Sequence, residues 1–359
     1  MKMTRRMIRH RTFTYLLMAA ASLCLVGACS LDSGSEPAVT TSLTELPLMF
    51  ATSSVDGVTR AGAADTYDTS LPVGSNIGVY IYDSDAEDLS VHQPVDPSDS
   101  KTWVYEVTGS PDASGYAALR LTSHVKSPRF PTRTEGNATV YKNYVKVFAL
   151  FPNNTDFMPS GNAGNATSYD FTVNIDQTTE ANVKASDLLT TDIAQYTSTQ
   201  CESRLSLLLK HRMAKVTVVF QPKSGSDLTA ANMPINFDVL NVLRTVTVTP
   251  KTGDVSAGTG AKTTAGDPLK ACTTHSFFLP PQTLTAGDQL LKFNIKPTDN
   301  FKGMNDCGYT PAAAVTIEAN KQYLITVTVD VDFITTTGTI TTWTDGGKIE
   351  YSEYTDSIL

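Results

Sequence analysis

Thr245-Val246-Thr247-Val248-Thr249 is the stretch on which the fold turns. Successive side chains of an extended strand point to opposite faces, so this alternation sends both valines to a core and the threonines to water. Outward from it the same kind of run recurs in both directions. Towards the C-terminus come Ser276–Leu279, Leu290–Ile295, Tyr323–Phe333 and Gly338–Trp343. Towards the N-terminus come Phe237–Asn241, Val216–Phe220, Arg204–Lys210, Tyr169–Ile175 and Ile77–Tyr82. Val140 to Phe151 reads as one long strand closed by Pro152-Asn153-Asn154. Gly, Pro, Asn and Asp divide these runs, and no long segment sustains a 3.6-residue apolar period. Many short strands with frequent turn signals predict an all-β chain of antiparallel β-sandwiches.

The first 28 residues carry Lys2, Arg5, Arg6, Arg9 and Arg11 and no acid. An apolar run of about 12 residues, Tyr15 to Val26, follows, well short of the roughly 20 that a membrane-spanning helix needs. Small residues Gly27 and Ala28 then precede Cys29, so 1–28 reads as a signal peptide. Val26-Gly27-Ala28-Cys29 resembles a bacterial lipobox, in which the cysteine is acylated and becomes the first residue; a bulkier residue than Gly27 is usual there. The other reading is an ordinary secretory peptide with an incidental cysteine. A multiply acylated Cys29 meets the two-chain requirement for stable anchoring in a membrane.

Loss of 1–28 removes five positive charges and no negative ones, moving the formal net charge from −8 to −13. That balance argues against nucleic acid or an anionic membrane surface as partner. Cys201, Cys272 and Cys307 remain after Cys24 leaves and Cys29 takes lipid. Three is odd, so at most one disulfide forms. No spacing resembles CxxC or a zinc site, and buried, inert thiols are expected.

Roughly 330 mature residues predict two domains. Residues 29–45 are a flexible tether rich in Ser, Thr, Gly, Glu and Pro. The polar, breaker-rich stretch Gln221 to Asn232 places the division, giving sandwiches over 46–222 and 223–359. Thr252 to Asp267 is a second low-complexity loop, and its flanks read as the two strands of one hairpin.

No catalytic constellation stands out. GxSxG, HExxH and GxxxxGK[ST] are missing from the sequence, and no GxGxxG sits in a strand-turn-helix setting. The chain is read as non-enzymatic, with no cofactor and no metal. Cys272 and His275 are an isolated i, i+3 pair. Asp83 to Asp88 has the acids of a calcium loop without its Gly at the sixth position or Glu at the twelfth, which is Pro94. Asp330 and Asp332 alternate on a strand and are expected on its wet face. Trp103, Tyr105 and Trp343, if exposed along a concave face, suit an alternative role: a permanently anchored surface glycan-binding lipoprotein.

Five stretches occur in an order that resembles the fimbrillin-like lipoproteins of Bacteroidales, the subunits of type V pili. They are the lipobox at Cys29, Leu46–Ala51 followed by Val58-Thr59-Arg60-Ala61, Pro72-Val73-Gly74-Ser75-Asn76-Ile77-Gly78-Val79-Tyr80, His211-Arg212-Met213-Ala214-Lys215-Val216-Thr217-Val218, and Tyr323–Val329 leading to Ile340-Thr341-Thr342-Trp343-Thr344-Asp345-Gly346. The resemblance implies two tandem transthyretin-like or Ig-like antiparallel β-sandwich domains. It also implies export to the outer membrane, cleavage by a trypsin-like surface protease between Arg60 and Ala61, and loss of a first strand carrying Leu46, Leu48 and Phe50. The residues flanking Arg60, Ser53–Gly57 before and Ala61–Ala64 after, are small and polar, as in an exposed cleavable loop; an ordinary loop arginine is the other reading. A strand from a neighbouring fimbrial subunit then fills the emptied groove, head to tail. Residues 347–359, with Ile349 and Tyr351 alternating against charges after Gly346-Gly347, read equally as that donor or as a last edge strand shielded by its charges. The biological purpose implied is adhesion.

Overall fold

Val246 and Val248 are fully buried and the three threonines between and around them are partly exposed, as alternation requires. In a computed structural model of the chain, the residues described are 46–56, 71–83, 103–113, 115–123, 127–152, 168–202, 204–250, 252–257, 260–299, 301–330 and 336–343. All lie within one unit, Ser42–Leu359. Strands hold 50% of the described residues and helices 6%, so the chain is all-β, built of multiple antiparallel sheets.

The N-terminal strands are β1 (Phe50–Asp56), β2 (Asn76–Asp83), β3 (Trp103–Val107), β4 (Ala117–Leu121), β5 (Thr132–Glu135), β6 (Ala138–Tyr141), β7 (Val145–Phe151), β8 (Tyr169–Thr172), β9 (Leu189–Thr190), β10 (Ala194–Tyr196) and β11 (Leu205–His211). Two short helices, α1 (Glu180–Ala185) and α2 (Ser198–Cys201), lie among them. Eight strands form one sheet in the order β10-β7-β2-β3-β4-β1-β11-β9, and β9 pairs again with β7, so the sheet closes on itself. Closure removes sheet edges. Inside lies a core of Leu48, Phe50, Ile77, Val79, Ile81, Trp103, Tyr105 and Phe130 with the inward residues of β7 and β11. The alternate residues Tyr80, Tyr82, Phe148 and Leu150 point the other way, into a second core.

That second core belongs mostly to β12 (Ala214–Pro222), β13 (Asn236–Val239), β14 (Thr245–Thr249), β15 (Asp254–Ala257), β16 (Leu269–Cys272), β17 (Phe277–Leu279), β18 (Gln282–Leu284), β19 (Leu291–Ile295), β20 (Met304–Tyr309), β21 (Val315–Ile317), β22 (Gln322–Val329) and β23 (Thr336–Trp343). The sheets run β17-β12-β22-β23, β16-β13-β19-β20 and β15-β14-β8. Phe220 packs on Phe293 at 4.6 Å and on Phe237 at 5.6 Å between ring centroids, joining the first two. Two pairs of named strands are parallel, β1 with β11 and β12 with β22. The other pairings of these sheets are antiparallel, as expected; periodicity carries no sign of strand direction and so gave no notice of these two pairs.

Four local readings need correction. Val140–Phe151 is not one strand. β6 pairs with β5 while β7 pairs with β2, and the chain bends between them where Lys142 N–H donates to Pro131 O at 3.0 Å. The flanks of Thr252–Asp267 are not one hairpin either. β14 pairs with β15 through a turn in which Gly253 has φ +75°, and a Cβ there would sit 2.9 Å from the Ile193 nitrogen. β16, beyond the loop, pairs with β13. The first strand does not stop at Ala51 but runs to Asp56, through residues read as cleavable loop. Finally, Asp330 is buried and ion-paired with Lys223, because the parallel β12–β22 ladder ends with the two side by side. Asp332 lies outside the described residues.

Candidate functional site

The site is the lane occupied by residues 46–56. Leu46 O accepts from Phe130 N–H at 2.7 Å, Leu48 N–H donates to Pro128 O at 2.6 Å, and Pro47 bridges Arg129. Met49 O then accepts from Leu205 N–H at 2.8 Å, where the chain turns from one neighbour to the next. From there β1 lies between β11, parallel, and β4, antiparallel. Leu48 and Phe50 are buried at 0% and 4% exposure, Leu46 is half-buried, and Met49 between them faces out. A register shift between Phe50 and Thr52 changes the phase of the strand. As a result Ser53, not an even-numbered residue, turns inward opposite Leu207 and Ala117, all three buried. The lane therefore takes two large apolar side chains at one end and a small polar one at the other.

Phe50 meets Tyr105 edge to face, with centroids 5.5 Å apart and planes at 83°. Tyr105 is 2% exposed, and its hydroxyl finds no hydrogen-bond partner among the described residues. Burial pushes that phenol well above its ordinary range. An orphaned buried hydroxyl costs about 1–3 kcal/mol, so the core around β1 is not fully satisfied with β1 in place.

On its far side β11 is gripped by residues 187–192, which contain β9. The buried Asp187 Oδ1 lies 2.9 Å from His211 Nδ1. Arg212 donates through its backbone to Leu188 O at 2.8 Å, through Nε to Thr190 Oγ1 at 2.6 Å and through Nη2 to Asp192 Oδ1 at 2.8 Å. Lys210 Nζ takes the other oxygen of Asp192 at 2.5 Å. Lys210, then Arg212, hold the Asp192 carboxyl below its usual range. The seam closing the sheet is thus polar and multiply tied, unlike the β1 lane.

Of the residues singled out in the sequence, Leu48 and Phe50 come together in one core and Leu46 at its rim. Cys29, Arg60, Ala61 and residues 347–359 lie outside the described residues. Trp103 and Tyr105 are buried, so neither presents a sugar-stacking surface; the Trp343 side chain is not among those described. Cys272 and His275 both turn to Thr178 O, at 3.6 and 3.0 Å, and no group of three His, Cys, Asp or Glu placed to hold a metal ion occurs among the described residues. Cys201, Cys272 and Cys307 are buried and free. Burial pushes the Cys201 thiol up to about 11. Sequence reasoning missed Ser53, the orphan Tyr105 hydroxyl and the Asp187–His211 pair. The lone acid and lone histidine of that pair, 24 residues apart, carry no spacing signal.

A closed all-β sheet whose first strand occupies an interior lane, beside a second β-rich half, is the class of protein defined so far. Residues 59–343 match the fimbrillin-like family, and the chain belongs to that family. Among solved structures, a candidate cell adhesion protein from Bacteroides uniformis is similar in fold, with 16% identity and a TM-score of 0.51 over 83% of this chain and 96% of that one. A second such protein, from Bacteroides ovatus, has 16% identity and a TM-score of 0.48 over 88% and 99%. A fimbrial assembly protein from Parabacteroides distasonis has 11% identity and a TM-score of 0.42 over 84% and 100%. Among curated proteins there is no significant match.

Proposed function

We propose that this protein is a non-enzymatic fimbrial subunit serving cell adhesion, exported as an outer-membrane lipoprotein on Cys29, cut after Arg60 by a trypsin-like surface protease, and assembled by strand exchange with other subunits. Family membership and the adhesion and fimbrial proteins it resembles support the first part. The observation that carries the mechanism is the position of 46–56. This segment fills an interior lane, and among its described side chains Leu48 and Phe50 bury large apolar groups there. Each contributes about 1.5–3 kcal/mol, a stake small enough to exchange and large enough that an empty lane needs refilling. Removal of β1 leaves β4 and β11 as facing unpaired edges, the geometry that β-strand addition uses.

The donor is residues 347–359 of the next subunit, and the two halves divide near residue 222. The two cores support two halves, one drawn from Leu48 to Leu209 and the other mainly from Met213 to Ile340, with β12 packing in the second.

The test is the N-terminus and intact mass of protein recovered from the cell surface. A chain starting at Ala61 without lipid is expected. A chain still starting at acylated Cys29, also when assembled, overturns the trimming step. Arg60→Ala is expected to leave the precursor uncut and unassembled.

A further inference from the structure

Far from the β1 lane, a groove of about 360 Å³ lies on the face of β13 and its neighbours that turns away from the core. Its floor is the backbone of Phe237, Ala271 and Phe293, whose side chains point into the core. Alternation then puts polar residues on the groove side, in two rows. In the first, Lys270, Asp238 and Lys292 lie opposite one another across β16, β13 and β19, and Gly308 of β20 ends the row. In the second, one step along, are Asn236, Asn294 and Asp306. Lys292 Nζ pairs with Asp306 Oδ1 at 2.8 Å, and Asn294 Oδ1 accepts from Asp306 N–H at 2.9 Å. Asn236, Asp238 and Lys270 make no side-chain hydrogen bond to another described residue. The groove also has sides. Beyond β16, Lys270 N–H donates to Ile175 O and Gln177 N–H to Lys270 O, both at 2.7 Å, which carries Thr178 to the rim. At the β20 end a Cβ on Gly308 would sit 2.3 Å from Gln289 Nε2, so that amide lies over the end of the first row.

These groups narrow the ligand. An anion drawn to Lys270 or Lys292 meets Asp238 between them, and a cation drawn to Asp238 meets both lysines, so net charge is disfavoured. An apolar molecule finds no outward apolar ring or chain in the lining. A peptide strand adds to an unpaired sheet edge, whereas the groove lies on the face of paired strands. A neutral polyhydroxylated molecule fits, because each hydroxyl donates to a carboxylate or amide oxygen and accepts from an ammonium or amide N–H. Neighbouring strands are about 4.8 Å apart, so one sugar ring reaches two side chains at once.

We propose that this groove binds uncharged saccharide through Asn236, Asp238, Lys270 and Asn294. The proposal rests on the adhesive role for its purpose, while the binding itself requires no strand exchange. Without an aromatic platform each site is weak, and a filament that repeats it gains by multivalency.

The experiment displays the uncut full chain at high density on fluorescent beads and reads them on an array of uncharged, sialylated and sulfated oligosaccharides. Retention on uncharged glycans is expected, with acidic forms of the same cores held about tenfold less. Asn236→Ala and Lys270→Ala, both at exposed positions, are each expected to lower that retention about tenfold at unchanged melting temperature. Asp238→Asn removes the repulsion of anions and is expected to bring the acidic forms up towards the uncharged ones. Retention on no glycan overturns the proposal, and preference for acidic glycans overturns the ligand class. Retention that Asn236→Ala and Lys270→Ala leave unchanged overturns the place. A chain that binds glycan here yet keeps acylated Cys29 when assembled loses the trimming step and keeps this site.

Discussion

Among the described residues two pairs of strands run parallel, and they are built in opposite ways. In β12–β22 the register runs from Lys215↔Gln322 to Pro222↔Val329 without a shift, and Val216, Val218, Phe220, Tyr323, Ile325, Val327 and Val329 all point into the core. β-Branched and aromatic residues along the whole length suit a pleated surface that stays buried. β1 pairs with β11 through Phe-Ala-Thr-Ser-Ser-Val-Asp, shifts register after its first residue, and turns in a serine where the other pair has valines. The β12–β22 lane buries apolar side chains along its whole length, whereas the β1 lane buries Leu48 and Phe50 at its start and a serine further on. On the proposed strand exchange, composition along a strand, more than its place in the sheet, is what distinguishes the exchanged strand from one that stays.

The strongest way to break this contrast is to damage both lanes equally. Val218→Asp puts a charge at a position 1% exposed and is expected to cost more than about 4 kcal/mol, enough that the chain recovers no cooperative melt. Phe50→Ala is expected to cost about 3 kcal/mol, the low end for a buried phenylalanine, because the lane it leaves opens at one side. Hydrogen exchange resolved by segment should then show β1, β4 and β11 opening while β12 and β22 stay protected. Loss of protection in β12 and β22 would mean the two lanes unfold as one.

This contrast was only half legible in the sequence. Alternation identified β14 residue by residue and the body of β22, since their apolar residues fall at every second position, though the run Tyr323–Phe333 reads past the strand's end at Val329. It found Leu48 and Phe50 for the same reason. It ended β1 at Ala51 because Thr52-Ser53-Ser54-Val55-Asp56 is mostly small and polar; main-chain pairing with β11 carries the strand on to Asp56, and composition does not record such pairing. Val140–Phe151 was equally opaque, since apolar content is the same whether a run keeps one partner or changes from β5 to β2. Asp330 and Tyr105 show the limit at single residues. Burial of the first depends on a lysine 107 positions away, and the unpartnered hydroxyl of the second is a property of the assembled core.

The cysteines sharpen the comparison at lower cost. Cys201 packs in the core that contains β1, Cys307 in the core that contains β12 and β22, and burial pushes both thiols up. Neither should react with iodoacetamide at pH 8 in the intact chain, because the thiolate is the reactive form. When β1 is cut free and removed, alkylation at Cys201 is expected to rise about tenfold, with Cys307 unchanged. Equal rates at both sites would show that the C-terminal core also depends on β1.

The smallest expected effect lies at the seam on the other side of β11. Lys210 and Arg212 depress the Asp192 pKa. A carboxylate lowered in the folded state adds stability above its unfolded value, near 3.9, and loses that contribution as pH falls through the folded value. The Asp192 side chain is 62% exposed, so water screens the pair and the gain is only a few tenths of a kcal/mol. Asp192→Asn should therefore lower the melting temperature slightly at pH 7, with the difference from the unsubstituted chain fading as pH falls below the unfolded value and through the lowered folded one. Asp176, lowered by its hydrogen bonds from Thr178, keeps its own acid dependence in both chains and drops out of that difference. Exchange at β1 should not change, because β9 and its ties hold β11 from the side away from the lane. If Asp192→Asn instead speeds the release of β1, the closing seam and the removable strand are one mechanical element. The lane would then be opened by loosening the ring as a whole, and the low apolar content of β1 would no longer explain why it can leave.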